Sequence, residues 1–211
     1  MVKKEATMKT KLYSIAALVI LVTCAGCGNP FFPAAYKVGD RGPGDGIIFY
    51  DKGRFTDGWR YLEAAPVEWE SYSYSYGYYY GYTSVLTWTI SGFLIDIATG
   101  TGIGTGKKNT ALILNEDPGW NAAQACIDYR GGGKSDWFLP SRDELNELYK
   151  QIDVVDYYPF GYSITFWSSS QYNADNAWVQ AFTDGLGRAD GSQGPSNKGV
   201  TSFYVRPIRS F

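Results

Sequence analysis

Few side chains in this sequence could carry catalysis. The 211 residues include no histidine, so neither a Ser-His-Asp nor a Cys-His arrangement can form, and no imidazole is available to bind a metal ion. Carboxylates cluster at Asp143, Glu144 and Glu147, but acidic residues at the start of a predicted helix usually cap it and interact favourably with its dipole. The sequence therefore predicts a protein that is not an enzyme and that carries no cofactor or metal ion.

A calcium-dependent sugar site is also unsupported by the sequence. The Glu-Pro-Asn and Trp-Asn-Asp signatures of such sites are absent, and no segment has the clustered oxygen ligands of an EF-hand loop. One alternative stays open, because four oxygen-bearing residues of the C-terminal third could converge in the folded chain. These residues are Asp175, Asn176, Asp184 and Asp190.

A glycine-rich segment at residues 100–106 invites a phosphate-binding interpretation. Its spacing does not fit a P-loop, since Thr101 stands where the first glycine belongs and Lys108 where a Ser or Thr should bind Mg²⁺. The spacing of a dinucleotide-binding loop fails as well. We therefore predict a flexible connection that leads into a helix near residues 107–114.

The N-terminal segment has the features of an export signal. Four lysines within residues 3–11 precede an apolar run at 12–23, which is short for a membrane span. Ala25 and Gly26 then precede Cys27, the order that a lipoprotein signal peptidase accepts. We predict a signal peptide over 1–26, lipidation of Cys27 and a tether over 27–37; the alternatives are lipidation of Cys24 or an ordinary signal peptide.

Cleavage before Cys27 would leave an acidic domain. Residues 1–26 hold four of the 19 basic residues and one of the 21 acidic residues, so 15 basic and 20 acidic residues remain and the net charge is −5. Such a balance argues against binding to nucleic acid or to anionic lipid. Cys126 would be the one cysteine of the folded part, so a hydrophobic core rich in Trp and Phe must hold it together.

The order of predicted elements is strands, then helices, then strands, which indicates an α+β fold. Helices are predicted at 107–114, at 119–129 after an Asp117 cap, and from Ser141, where Ser141 and Glu144 form a capping box. We also predict that 47–51 pairs antiparallel with 204–209. The predicted strands are 46–51, 58–63, 165–170, 177–182 and 202–209.

Residues 71–82 form a low-complexity segment that contains seven of the 18 tyrosines. Alternating Ser and Tyr could form a β-ribbon with tyrosines on one face and serines on the other. Tyrosine, serine and glycine are also the residues that antibody paratopes favour. A ligand-contacting ribbon and a surface hairpin without a ligand both fit this pattern.

The C-terminal loops are the predicted ligand surface. Segments 171–176 and 184–199 are polar and turn-prone, and binding residues concentrate on such connections. Trp167 and Trp178 are predicted to be buried scaffold, while Arg206 and Arg209 are predicted to hold the fold. The candidate ligand-binding residues are Tyr172, Asn173, Asp175, Asn176, Arg188, Asp190, Ser192 and Asn197.

Five motifs in order make residues 38–211 resemble one known family. They lie at 42–50, 58–66, 136–146, 166–182 and 205–209, and include Asp-Trp-Phe-Leu-Pro-Ser-Arg-Asp-Glu-Leu-Asn and Phe-Trp-Ser-Ser-Ser. The segment resembles the C-terminal domain of the Legionella collagen-like adhesins and related bacterial lipoproteins. The resemblance implies a C-type-lectin-like fold shared with the formylglycine-generating enzyme, with paired terminal strands and two or three helices.

The resemblance also implies a function in binding. Some relatives are adhesins for sulfated polysaccharides, and others are variable proteins of diversity-generating retroelements. We therefore expect a lipoprotein of the outer membrane or cell surface that recognises a glycan or protein and touches the membrane only through its lipid. The alternatives are a structural envelope lipoprotein and an enzyme. The enzymatic relatives use a pair of active-site cysteines, whereas the predicted folded domain offers only Cys126.

Overall fold

The computed structural model describes residues 35–66, 69, 73–75, 78–80, 85–90, 96–153, 164–183, 191–199 and 201–211, with backbone only at 73–75 and 78–80. Helices and strands are mixed, which confirms the α+β class. Cys24, Cys27 and the remainder of 1–34 lie outside the described residues, as do Asp184, Arg188 and Asp190. Among the described residues no helix is both long and apolar enough to cross a membrane.

Ten strands, three α-helices and one short 3₁₀ helix make up the described part of the chain. In chain order they are β1 Ile47–Thr56, β2 Trp59–Ala64, β3 Ser73–Ser75, β4 Tyr78–Tyr80, β5 Val85–Leu86, α1 Gly106–Glu116, α2 Ala122–Asp128, the 3₁₀ helix Gly131–Gly133, α3 Arg142–Lys150, β6 Thr165–Gln171, β7 Asn176–Ala181, β8 Gln193–Asn197, β9 Phe203–Tyr204 and β10 Ile208–Ser210.

The terminal strands share a three-stranded sheet of order β1-β2-β10. The prediction that 47–51 pairs directly with 204–209 is wrong, because β2 lies between them and pairs antiparallel with both neighbours. A hairpin joins β1 to β2, and this local pairing leaves the other edge of β2 for the C-terminal strand. The two ends of the domain therefore meet through β2.

The second sheet has the order β5-β9-β6-β7-β8. Its pairs are antiparallel except for β6 with β9, which are parallel at Phe166 and Tyr204. The single strand predicted at 202–209 is in fact two strands that belong to different sheets. Pro207 lies in the break between them, and proline has no backbone N–H to donate to a sheet.

The helices follow their predicted starts at two of three places. α1 covers the helix predicted at 107–114, and α3 begins directly after its Ser141 cap, with both hydrogen bonds of the predicted capping box. The second helix begins later than predicted, because Asn121 rather than Asp117 caps it. Asp117 instead ends α1, and its carboxylate accepts a hydrogen bond from the Ile90 N–H at 2.8 Å.

Within the tyrosine-rich segment, β3 and β4 pair antiparallel, which fits both the expected ribbon and the alternative surface hairpin. The register places Tyr74 opposite Tyr79, Ser73 opposite Tyr80 and Ser75 opposite Tyr78. Each serine thus lies opposite a tyrosine. The expected division of tyrosines and serines between two faces concerns side chains that lie outside the described part of the structure.

Two buried carboxylates are each enclosed by a glycine-rich loop. Glu63 of β2 accepts hydrogen bonds from the backbone N–H groups of Gly44 and Gly46 and from Arg209. A side chain at Gly42 would collide with the Glu63 carboxylate at 2.4 Å. The glycines of this first motif are therefore needed so that the backbone can close around Glu63.

Glu144 plays the same role for the glycine-rich segment at 100–106. Its carboxylate accepts hydrogen bonds from the N–H groups of Gly104 at 2.8 Å and Ser141 at 2.7 Å, and a Cβ at Gly106 would lie 2.2 Å from Glu144 Oε2. The loop is thus tied to the start of α3 rather than being the flexible connection predicted. Burial raises the pKa of Glu144 although these hydrogen bonds oppose the shift.

Candidate functional site

The turn between β6 and β7 is closed by its own polar groups. The N–H groups of Tyr172 and Asn173 donate to the carbonyl of Asn176 at 2.9 and 3.1 Å. The side-chain oxygen of Asn173 accepts from the N–H groups of Asp175 and Asn176 and from the Asn176 amide. Asn173 and Asn176 therefore use their side chains to shape the turn, which leaves Tyr172 and the Asp175 carboxylate to face solvent.

The structure brings five of the eight predicted ligand-binding residues to one end of the second sheet. Asn197 ends β8 opposite Asn176, at the end where the β6–β7 turn lies. Ser192 precedes β8 at its other end, where its carbonyl accepts from the Ala181 N–H, about 17 Å away for a five-residue strand. The two remaining residues, Arg188 and Asp190, lie outside the described residues.

An aromatic row lies beside the turn. Tyr172 is 52% exposed, and its ring meets the Trp178 ring edge-on, with centroids 5.0 Å apart. The guanidinium of Arg142 also lies over the Trp178 ring, 5.1 Å from its centroid. We call Arg142, Trp178, Tyr172 and Asp175 the contact surface.

Trp178 is half-buried, so the prediction that it is core scaffold is wrong, whereas Trp167 is fully buried as predicted. The reason is the alternation of β7. Ala177 and Val179 pack into the hydrophobic core, and successive residues of a strand point to opposite faces. Trp178 is therefore on the face that α3 covers, close to the partly exposed residues Arg142 and Asp143 at the start of that helix.

Side-chain amides fix α3 on this face of β7. Gln180 is fully buried and donates to the Asn146 side chain at 3.0 Å. Gln193 donates to the Gln180 side chain at 3.1 Å and to the Arg142 carbonyl at 2.9 Å. Hence Arg142, which also forms an ion pair with Asp143 at 2.8 Å, is held at a defined place above Trp178.

Arg142 was not among the residues predicted to bind a ligand. The capping box predicts that a helix begins beside it, but no spacing in the sequence links that helix to β7. Asn173 and Asn176, in contrast, were predicted to contact ligand, but their side-chain amides form hydrogen bonds within the turn. The sequence carried a signal for this, because asparagines in turns often bind their own backbone.

The described residues form no cluster suited to binding a metal ion, and their one cysteine is buried. In that part of the chain no group of three or more His, Cys, Asp or Glu side chains could hold a metal ion. Of the hypothetical calcium ligands, Asp184 and Asp190 are outside it. Cys126 is fully buried in α2 beside Ala122 and Ala123.

Together these features define an α+β domain in which the β6–β7 turn, strand β7 and the start of α3 carry the candidate contacts. The family profile described as Lcl C-terminal domain matches residues 78–209. That is more than half of the chain, and the chain belongs to this family, as the resemblance to the collagen-like adhesins implied. The two N-terminal motifs at 42–50 and 58–66 precede the matched range. No curated protein matches the chain.

Proposed function

We propose that this protein is a lipid-anchored bacterial surface protein that binds a glycan or protein ligand through the contact surface. Membership of the Lcl C-terminal domain family supports an adhesin-like or ligand-binding role. The observation that carries the placement is the aromatic row, in which exposed Tyr172 rests on half-buried Trp178. We propose binding rather than catalysis, and no role for nucleic acid.

The chemistry of the contact surface suits adaptable recognition. Tyrosine and tryptophan offer large, rigid contact areas at a low cost in conformational entropy, and their polar groups can still form hydrogen bonds. Asp175 adds an exposed carboxylate at the rim, and Arg142 adds donors beside Trp178. A ligand with flat apolar faces and polar edges, such as a sugar ring or a peptide side chain, matches this set.

The binding proposal is tested with the full-length protein on an array of glycans and host matrix proteins. For whichever array component it binds, Tyr172→Ala should weaken the affinity about thirtyfold, because truncating a contact at the centre of an interface costs about 2 kcal/mol. Affinities are measured by surface plasmon resonance, with unfolding curves to verify that the variant remains folded.

The matched control is Phe55→Ala, since Phe55 is another exposed aromatic residue, 69% exposed on the β1–β2 hairpin. It should leave the affinity unchanged. Equal losses in both variants, or a loss only when the tyrosine ribbon is altered, would place the ligand elsewhere. A full-length protein that binds nothing on the array would favour the structural envelope lipoprotein.

The lipid anchor is tested by metabolic labelling with palmitate. Cys27→Ser should abolish labelling and membrane partitioning, because the residue proposed to carry the lipid is gone. Cys24→Ser is the matched control and should retain both. The reverse result would move the anchor to Cys24. If wild type and both variants all fail to take up label, the segment is an ordinary signal peptide.

A further inference from the structure

Lys198 is a buried cation that the binding proposal does not use. It follows β8 immediately, and only 2% of the residue is exposed, although lysine is among the residues least often buried. Its ammonium group donates to the Gln171 side-chain oxygen at 2.7 Å and to the Ala174 carbonyl at 3.0 Å. It also lies 4.6 Å from the centroid of the Trp88 ring.

The backbone of Lys198 contacts the same segments as its side chain. Its N–H donates to the Asp175 carbonyl at 3.0 Å, and its carbonyl accepts from the N–H groups of Trp88 and Thr89 at 3.0 and 3.2 Å. One residue thus joins the β6–β7 turn to the segment 86–90. In these contacts the turn and the segment 86–90 are connected through Lys198 and not directly to each other.

Gln171 extends the connection to a third segment. Its side-chain oxygen, which accepts from Lys198, also accepts from the Ile97 N–H at 3.0 Å, and its side-chain nitrogen donates to Asp96 at 2.6 Å. The Gln171 N–H donates to the Thr99 hydroxyl at 2.6 Å. The segment 96–99 is therefore held against the end of β6 by the residue that Lys198 binds.

We infer that Lys198 is a positioning residue for the turn that carries Tyr172 and Asp175 of the contact surface, and that its side chain holds this β6–β7 turn against the segments 86–90 and 96–99. The turn carries Tyr172 and Asp175, so its conformation decides where these two side chains stand. The inference rests on the proposed function only in calling this turn a contact surface. Its test needs no ligand, so it can fail independently.

The charged groups that face the ammonium make its protonation testable. Burial lowers the pKa of Lys198 to about 8, against the opposing influence of the Asp96 and Asp175 carboxylates. In the unfolded chain a lysine has a pKa of about 10.4. Between these values the unfolded chain binds a proton that the folded protein does not, so the contribution of Lys198 to stability rises with pH. The neutral amine can still donate to both oxygens.

The central experiment compares hydrogen exchange of full-length wild type, Lys198→Met and Lys150→Met by mass spectrometry. Lys150 is a surface lysine whose side chain is 54% exposed and paired with Glu147, so its variant is the matched control. Lys198→Met should speed exchange in 171–176 and 96–99 by about tenfold or more, as expected when a local unit opens more readily. Exchange in β2 and α3 should be unchanged, and Lys150→Met should match wild type. Unchanged exchange in the turn, or a uniform increase throughout the domain, would overturn the inference.

A pH series tests whether the amine of Lys198 is buried as the inference requires. The difference in unfolding free energy between wild type and Lys198→Met should shift in favour of wild type from pH 7 to pH 10, because burial lowers the pKa of Lys198 and methionine does not titrate. A difference that stays constant would show that the amine is not held in its buried position, and would contradict the inference.

A measurement on wild type alone keeps the inference falsifiable if Lys198→Met does not fold. Brief acylation of the native full-length protein with acetic anhydride, read by peptide mass spectrometry, should modify Lys198 on the order of tenfold more slowly than Lys150. Equal rates would show that the side chain does not stay in its buried position, and the inference would fall.

Discussion

Replacing Arg209 by alanine should lower the free energy of unfolding by about 3–5 kcal/mol, the cost of removing one partner from a buried ion pair. Arg209 donates to Glu63 at 3.0 Å and makes two hydrogen bonds to Asp136 at 2.8 and 2.9 Å. Glu63 is fully buried. Without Arg209 its charge would keep the N–H groups of Gly44 and Gly46 but lose its cation. Urea denaturation of wild type and variant measures the difference.

The structure offers a matched control in Arg60→Ala. Arg60 also makes two hydrogen bonds to one carboxylate, that of Asp51, at 2.8 and 2.9 Å. Both side chains of this pair keep a quarter or more of their surface exposed, and exposed pairs contribute about 1 kcal/mol or less. Losses of similar size in the two variants would show that burial of Glu63 is not what makes the Arg209 contact important.

The different outcomes for Arg209 and for the strand that carries it show what the sequence can predict. That Arg206 and Arg209 hold the fold follows from their place inside a strand-like segment, and both are buried. The partner of that strand does not follow, because hydrophobic pattern locates a strand without stating its neighbours. The order β1-β2-β10 depends on the β1–β2 hairpin, which occupies one edge of β2 and leaves the other edge for β10. Only Pro207 indicated the break before β10.

The candidate site shows the same division between local and non-local information. The Ser141–Glu144 capping box is a local pattern, and the structure has it. The additional bond from Glu144 to Gly104 joins residues forty positions apart, so no local pattern could predict it. Lys198 is a comparable case, since a lone lysine after a polar strand is typical of a solvated surface. Its role depends on where Gln171 and Ala174 lie in the fold.

The prediction that Trp178 is buried was wrong for a related reason. Ala177, Trp178 and Val179 are all apolar, so the alternation that normally identifies the buried face of a strand is absent. Residue size then suggested burial of both tryptophans, Trp167 in β6 and Trp178 in β7. The structure distinguishes them, and this difference leads to a direct comparison by mutation.

Trp167→Ala should cost about 3–5 kcal/mol of unfolding free energy, the range for truncating a core aromatic residue. Trp167 is fully buried, meets Phe203 edge-on at 5.0 Å, and donates its indole N–H to the Leu86 carbonyl at 2.8 Å. Alanine would leave a cavity and would remove the indole donor from the Leu86 carbonyl, and the second loss adds its own cost. Denaturant unfolding curves, with thermal melts beside them, measure the loss.

Trp178→Ala is the matched comparison on the neighbouring strand, and it should cost roughly 1–2 kcal/mol, because solvent can replace part of its contacts. Its ring already meets water beside Tyr172 and Arg142. We expect the denaturant slope to stay unchanged in this variant, which indicates that the same surface is exposed on unfolding. A loss as large as that of Trp167→Ala would mean that Trp178 serves the core after all, and Tyr172 would then stand on a structural support rather than beside a second contact residue.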